Sequence, residues 1–252
     1  MKKLFPPMCS KPDKIRIFAI IPCWVWVFVL FPMFLPFVGL GIWDQSEISI
    51  WLDIVYHAAN GFLLLMVIGN YLKEEWFMVT TDARFYFKHV MLTVGLIMVA
   101  ELALLGVLYL CGLNIFDALE CLPIIEMPVS HTPLATIAFQ PIIGTVVLSL
   151  FSSISIFGLF YCLGFAPVCY KKTWLAYLCI AVITMIPPIV DILWRDDDIW
   201  AVFRYLTSLP VHLLACWSYQ KTDNPWTPLL SLATANLLIS VLLHACYLRY
   251  IQ

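Results

Sequence analysis

The sequence predicts an all-α, polytopic transmembrane bundle of about seven or eight spans. Three observations predict it. Of 252 residues, 63% are hydrophobic and only 12% are charged, with a mean hydropathy of +0.93; soluble domains run closer to half apolar and a quarter charged. The apolar residues fall in long runs that can satisfy their own backbone as helices, with none of the ten-residue alternation of an outer-membrane barrel. The basic residues segregate to one side of those runs.

Seven runs are expected to span, at about 17–42, 49–70, 90–112, 139–165, 173–194, 199–218 and 227–248. The first follows a basic start, Met1 to Arg16. It is too long for a signal-peptide core and no small-residue cleavage site closes it, so it reads as a retained span. Alternating sides from a cytoplasmic N-terminus, the inner segments hold Lys2, Lys3, Lys11, Lys14, Arg16, Lys73, Arg84, Lys88, Lys171, Lys172 and Lys221, eleven of the fourteen basic residues. The outer segments hold Arg195 and Arg249, and Arg204 sits within a span, so the division follows the positive-inside rule. The expected location is therefore the cell membrane, multi-pass, with residues 1–252 forming one integral membrane domain.

Between the runs, the inner stretch Tyr71–His89 mixes charges with Trp76, Phe77, Phe85, Tyr86 and Phe87, the composition of an amphipathic segment on the membrane surface. The outer stretch 113–138 has no Lys or Arg and is long enough for an additional helix. Pro187-Pro188 and Pro210 are expected to interrupt or kink their helices and free carbonyls. Nine scattered cysteines give no metal-ligand spacing; Cys111 and Cys121 are the one pair placed to meet near a membrane face. With a formal charge of −2 and no basic stripe, a nucleic-acid partner is excluded. The expected partners are the lipid bilayer and a membrane peptide or protein.

An ionisable group in hydrocarbon costs roughly 2.5–3.5 kcal/mol on insertion scales, so each one asks for a reason. Asp53, His57 and Asn60 share one helix face, which suits a proton relay or half a metal site as well as interfacial solvation and hydrogen bonding to a neighbouring helix. Glu101 is mid-span, either a coupling-ion carboxylate or a neutral acid bonded across helices. Asp191 can pair with Arg204 or His212 across the outer turn, and His244 reads as interfacial. Glu101, Asp191, Arg204, His212 and Asn236 are the candidate binding residues. No catalytic signature is present: there is no H-E-x-x-H, serine elbow, P-loop or G-x-G-x-x-G. Glu74-Glu75 lacks an Arg four positions on and reads as a solvated charge cluster. No metal and no cofactor is expected.

One stretch has a more specific character. Tyr219-x-x-Thr222-x-x-x-Trp226-Thr227-Pro228, followed by Leu232-x-x-x-Asn236, resembles the end of the CPBP family, the CAAX-processing and bacteriocin-processing (Abi) intramembrane endopeptidases. Upstream, Trp174-Leu175-Ala176 resembles the Trp-x-Ala entry to that family's preceding core span. The resemblance implies a CPBP-like core over about 139–248, following N-terminal spans over 17–112.

The chain departs from the family where the family does its chemistry. The Glu-Glu-x-x-x-Arg motif belongs near Val146–Tyr161, yet no Asp or Glu occurs between Met127 and Val190. The Phe-x-x-x-His position falls at Thr184-x-x-x-Pro188, and the His of His-x-x-x-Asn falls at Leu232. Peptide hydrolysis needs a group to deprotonate water and another to stabilise an oxyanion. The resemblance thus implies a non-catalytic scaffold, a pseudoenzyme acting by binding, as an immunity-type or regulatory partner. An intramembrane protease with a rearranged site built from Glu101, Asp191, His212 and His57 is the alternative, with a small transporter third.

Overall fold

The computed structural model describes Val25 and residues 47–112, 173–195 and 199–251. Every regular element among them is helical: α1 (Glu47–Thr81), α2 (Ala83–Leu110), α3 (Thr173–Arg195), α4 (Ile199–Thr222) and α5 (Trp226–Ile251). These helices contain the expected runs 49–70, 173–194, 199–218 and 227–248 and all but the last two residues of 90–112. The runs 17–42 and 139–165 and the stretch 113–138 lie outside the described residues, apart from Val25 in the first.

Among the described residues one helix, Ala83–Leu110, is long and apolar enough to cross a membrane, while Thr173–Met185 and Trp226–Ile239 are shorter apolar stretches. The segment Tyr71–His89 is not a surface loop. α1 continues to Thr81 and α2 begins at Ala83, so only Asp82 separates them. Asp82 still donates its N–H to Met78 and accepts from Phe85 and Tyr86. With φ −129° and ψ 54° it breaks the helix by its own dihedrals, without a side-chain cap. The aromatic residues that suggested an amphipathic segment simply sit on the two helix ends.

The prolines also behave differently from expectation. α3 runs through Pro187-Pro188 and α4 through Pro210. A proline has no N–H to give to the carbonyl four residues earlier, so Ile183, Thr184 and Leu206 lose their usual helical donors. α2 ends where the geometry requires a glycine: Gly112 has φ +96° and donates its N–H to the Tyr109 carbonyl. Cys111 beside it is an exposed free thiol. Its expected mate Cys121 lies outside the described residues.

Packing centres on α2, α4 and α5, with α3 laid against α4 and α1 touching α2 and α5. Ile97 of α2, Val211 and Ala215 of α4, and Leu232 and Ala235 of α5 form a buried apolar cluster. Small residues at this crossing let the backbones approach closely, the packing that membrane helices use. Ser231 donates to the Thr227 carbonyl at 2.7 Å and lies 3.4 Å from the Val90 carbonyl, holding α5 beside α2.

Among the described residues Thr93, Glu101, Thr184, Ser208, His212, Ser218, Ser231 and Asn236 are buried alongside the apolar core, while Phe62, Met66, Leu92, Leu96, Val99, Leu102 and Trp174 are exposed.

Candidate functional site

Two polar assemblies emerge, one inside the bundle and one at the end where α1 meets α2. The inner assembly starts from α3. Ala176, Ile180 and Thr184 recur every four residues and are all buried, so they form one packed stripe. The Thr184 hydroxyl donates to the Ile180 carbonyl at 2.8 Å. Its only proton is then committed, so the 3.4 Å contact with Nδ1 of His212 needs the imidazole to be the donor. The carbonyl of Thr184 is one of those freed by the prolines, which adds an acceptor at this level of α3.

Glu101 lies one turn beyond Ile97 on the buried stripe of α2 and is only 2% exposed. Among the described residues neither carboxyl oxygen has a hydrogen-bond partner. Buried polar groups are otherwise almost always satisfied, and leaving one unpaired costs about 1–3 kcal/mol. Asn236 is buried one turn after Leu232 on α5, and Ser208 is buried one turn before His212 on α4. Glu101, Thr184, Ser208, His212 and Asn236 are thus all buried, with Thr184 and His212 in contact.

Of the five sequence candidates, Glu101, His212 and Asn236 are buried in this interior. The side chains of Asp191 and Arg204 lie outside the described residues, as do those of Asp53, His57, Asn60 and His244. Glu101 makes no hydrogen bond to His212, and among the described residues no group of three or more His, Cys, Asp or Glu is arranged to hold a metal. Leu232, at the position where the family carries histidine, is packed in the apolar cluster.

The second assembly was not anticipated. The turn between α4 and α5 sits in the crook of the α1–α2 bend. Asn224 is wholly buried there. Its amide nitrogen donates to the Glu75 carbonyl at 3.1 Å and to Oε2 of Glu75 at 3.3 Å, and its oxygen accepts the Trp226 N–H at 2.9 Å. The Trp226 indole N–H donates to the Leu72 carbonyl at 2.6 Å, and the ring packs edge-on against Trp76 with centroids 4.7 Å apart. Asp223 enables the turn: its φ is +53°, which Asp tolerates better than most residues, and its N–H closes α4 on the Tyr219 carbonyl at 2.7 Å.

Glu75 is therefore not part of a solvated cluster. It is half-buried, and burial first, then the carboxylates of Asp223 and Glu74, push its pKa above the ordinary glutamate value. Tyr86 is pushed up as well, by burial and then by Glu75. Glu74 stays exposed. The signal for this assembly was the Asp-Asn-Pro turn directly before α5, where Asn bonds its own backbone two residues on.

No protein family, curated protein or solved structure matches the chain.

Proposed function

We propose that this is a multi-pass membrane protein of seven or eight spans with a CPBP-like scaffold and no peptidase chemistry, which binds a membrane peptide or protein segment in its polar interior. The orphaned carboxyl of Glu101 carries this reading. An unpartnered acid at 2% exposure is a standing cost that packing would remove, and a ligand's N–H groups would satisfy it. The carbonyls left without donors by Pro187, Pro188 and Pro210 add further acceptors, so the interior suits an N–H-rich ligand such as unwound peptide backbone.

Two observations support the membrane topology. The outward apolar faces of α2 and α3 match a lipid surround. The segments bearing Lys73, Arg84, Lys88 and Lys221 meet through Asn224 and Glu75, as two connections on the same side of a bilayer must. The positive-inside rule makes that side cytoplasmic, together with the N-terminus.

The test uses the full chain in nanodiscs, offered lipidated and leader-bearing peptides carrying a photocrosslinker. Capture without cleavage is expected, and Glu101→Leu should reduce it about tenfold or more. Peptide cleavage that stops with His212→Ala or Asp191→Ala would establish the rearranged-protease reading instead.

A further inference from the structure

From the geometry at the bend between α1 and α2, we propose that Asn224 and Glu75 form an acid-held latch, which docks the end of α1 onto the bundle and loosens as Glu75 ionises. The proposal rests on this joint alone and is independent of what the interior binds.

The arrangement has the parts such a latch needs. α1 is 35 residues long, about 50 Å of helix, and Leu72, Glu75 and Trp76 near its C-terminal end touch the α4–α5 turn and the start of α5. Two hydrogen-bonding side chains reach it there from the α4–α5 turn, Asn224 and Trp226. The Trp226 bond goes to a backbone carbonyl and does not change with pH. The Asn224 bond goes partly to a carboxyl that does.

The groups facing Glu75 oppose its ionisation. Two carboxylates do so, Asp223 on the α4–α5 turn and Glu74 on the same helix, while Tyr86 on α2 is itself pushed up by Glu75 and Asp82. Lys73 and Lys221 are exposed. Neither is among the groups that set the Glu75 equilibrium. An ionised Glu75 is thus half-buried beside two like charges, with one amide to compensate it. Moving the end of α1 outward hydrates the carboxylate and separates it from Asp223. Neutral Glu75 keeps the bond to Asn224 without that repulsion.

The sign follows from the raised equilibrium. A carboxyl that binds its proton more tightly when docked favours docking fully below the ordinary glutamate value of 4.5. That contribution is lost as pH rises through the raised value.

Hydrogen exchange of the full chain in phosphatidylcholine/phosphatidylglycerol nanodiscs, corrected for intrinsic pH dependence, reads the latch at amides 66–80. Wild-type protection is expected to fall about tenfold between pH 5 and 8. Glu75→Gln, which keeps an acceptor for Asn224 but cannot ionise, should stay protected throughout. Asp223→Asn tolerates the same left-handed backbone and should shrink the pH response. A wild-type chain whose protection does not change with pH would overturn the proposal. So would a Glu75→Gln chain with the wild-type response, or one already open at pH 5.

Discussion

Trp226 and Leu72 stand 154 positions apart in sequence, and the indole N–H of one donates to the backbone carbonyl of the other at 2.6 Å. This bond joins the first residue of α5 to the last turns of α1, and Trp76 packs on the same ring. Trp226→Phe should keep most of the packing and lose the bond, costing about 1 kcal/mol. Trp226→Ala should cost more, since the contact with Trp76 goes as well. Unfolding in mixed micelles, followed by far-UV circular dichroism, would rank the two; equal effects would show that the hydrogen bond alone matters.

Asn224 uses both its amide nitrogen and its oxygen, and it is fully buried. Asn224→Ala should destabilise the chain by about 1–3 kcal/mol, because partners lose their bonds in a place water does not reach. Asn224→Asp keeps the shape but sets a third carboxylate beside Glu75 and Asp223. Its unfolding midpoint should lie below that of Asn224→Ala at pH 8 and recover at pH 5. A midpoint indifferent to pH would contradict this.

Glu101 predicts the opposite direction. With neither oxygen bonded, Glu101→Leu removes an unsatisfied group and retains most of the volume, so stability should rise by roughly 1–3 kcal/mol. The same variant should lose peptide capture, a trade of function for stability. Measuring the micellar unfolding midpoint beside photocrosslinking yield separates the two effects. A less stable Glu101→Leu would mean that the carboxyl is satisfied by something bound.

Ala235 has no exposed surface at the crossing of α2, α4 and α5. Ala235→Leu should force these helices apart at a cost of about 1–3 kcal/mol, whereas Ala235→Gly should be much milder. Proteolysis rates of the purified chain, read by gel, would show the difference.

Stability should also depend on pH through Glu75. Its contribution is present below the ordinary glutamate value and declines as pH rises toward its raised value. Equilibrium unfolding of wild type and Glu75→Gln from pH 5 to 8 should diverge, with the wild type losing stability and the variant holding its own. Parallel curves would place the titrating group elsewhere.

The helices themselves were legible in the residues. Long apolar runs admit few alternatives once the backbone must satisfy itself, so 49–70, 173–194, 199–218 and 227–248 fall within helices as expected, and α2 covers nearly all of 90–112. Glu101, His212 and Asn236 stand out in the sequence as polar residues in apolar runs, and all three are buried. The charged and aromatic stretch Tyr71–His89, read as an amphipathic segment, continues two helices across Asp82. α3 and α4 likewise continue through Pro187-Pro188 and Pro210, residues that would end an isolated helix.

Sequence by itself determined that the described residues are helical, and it shows no Asp or Glu between Met127 and Val190. Only the tertiary structure decided that Glu75 is half-buried against Asn224, and that Glu101 faces the interior with nothing bonded to it. The reason is one of range. Helix formation depends on neighbours three or four residues away, which a sequence displays directly. The fate of a carboxyl depends on what is brought beside it from more than a hundred residues off.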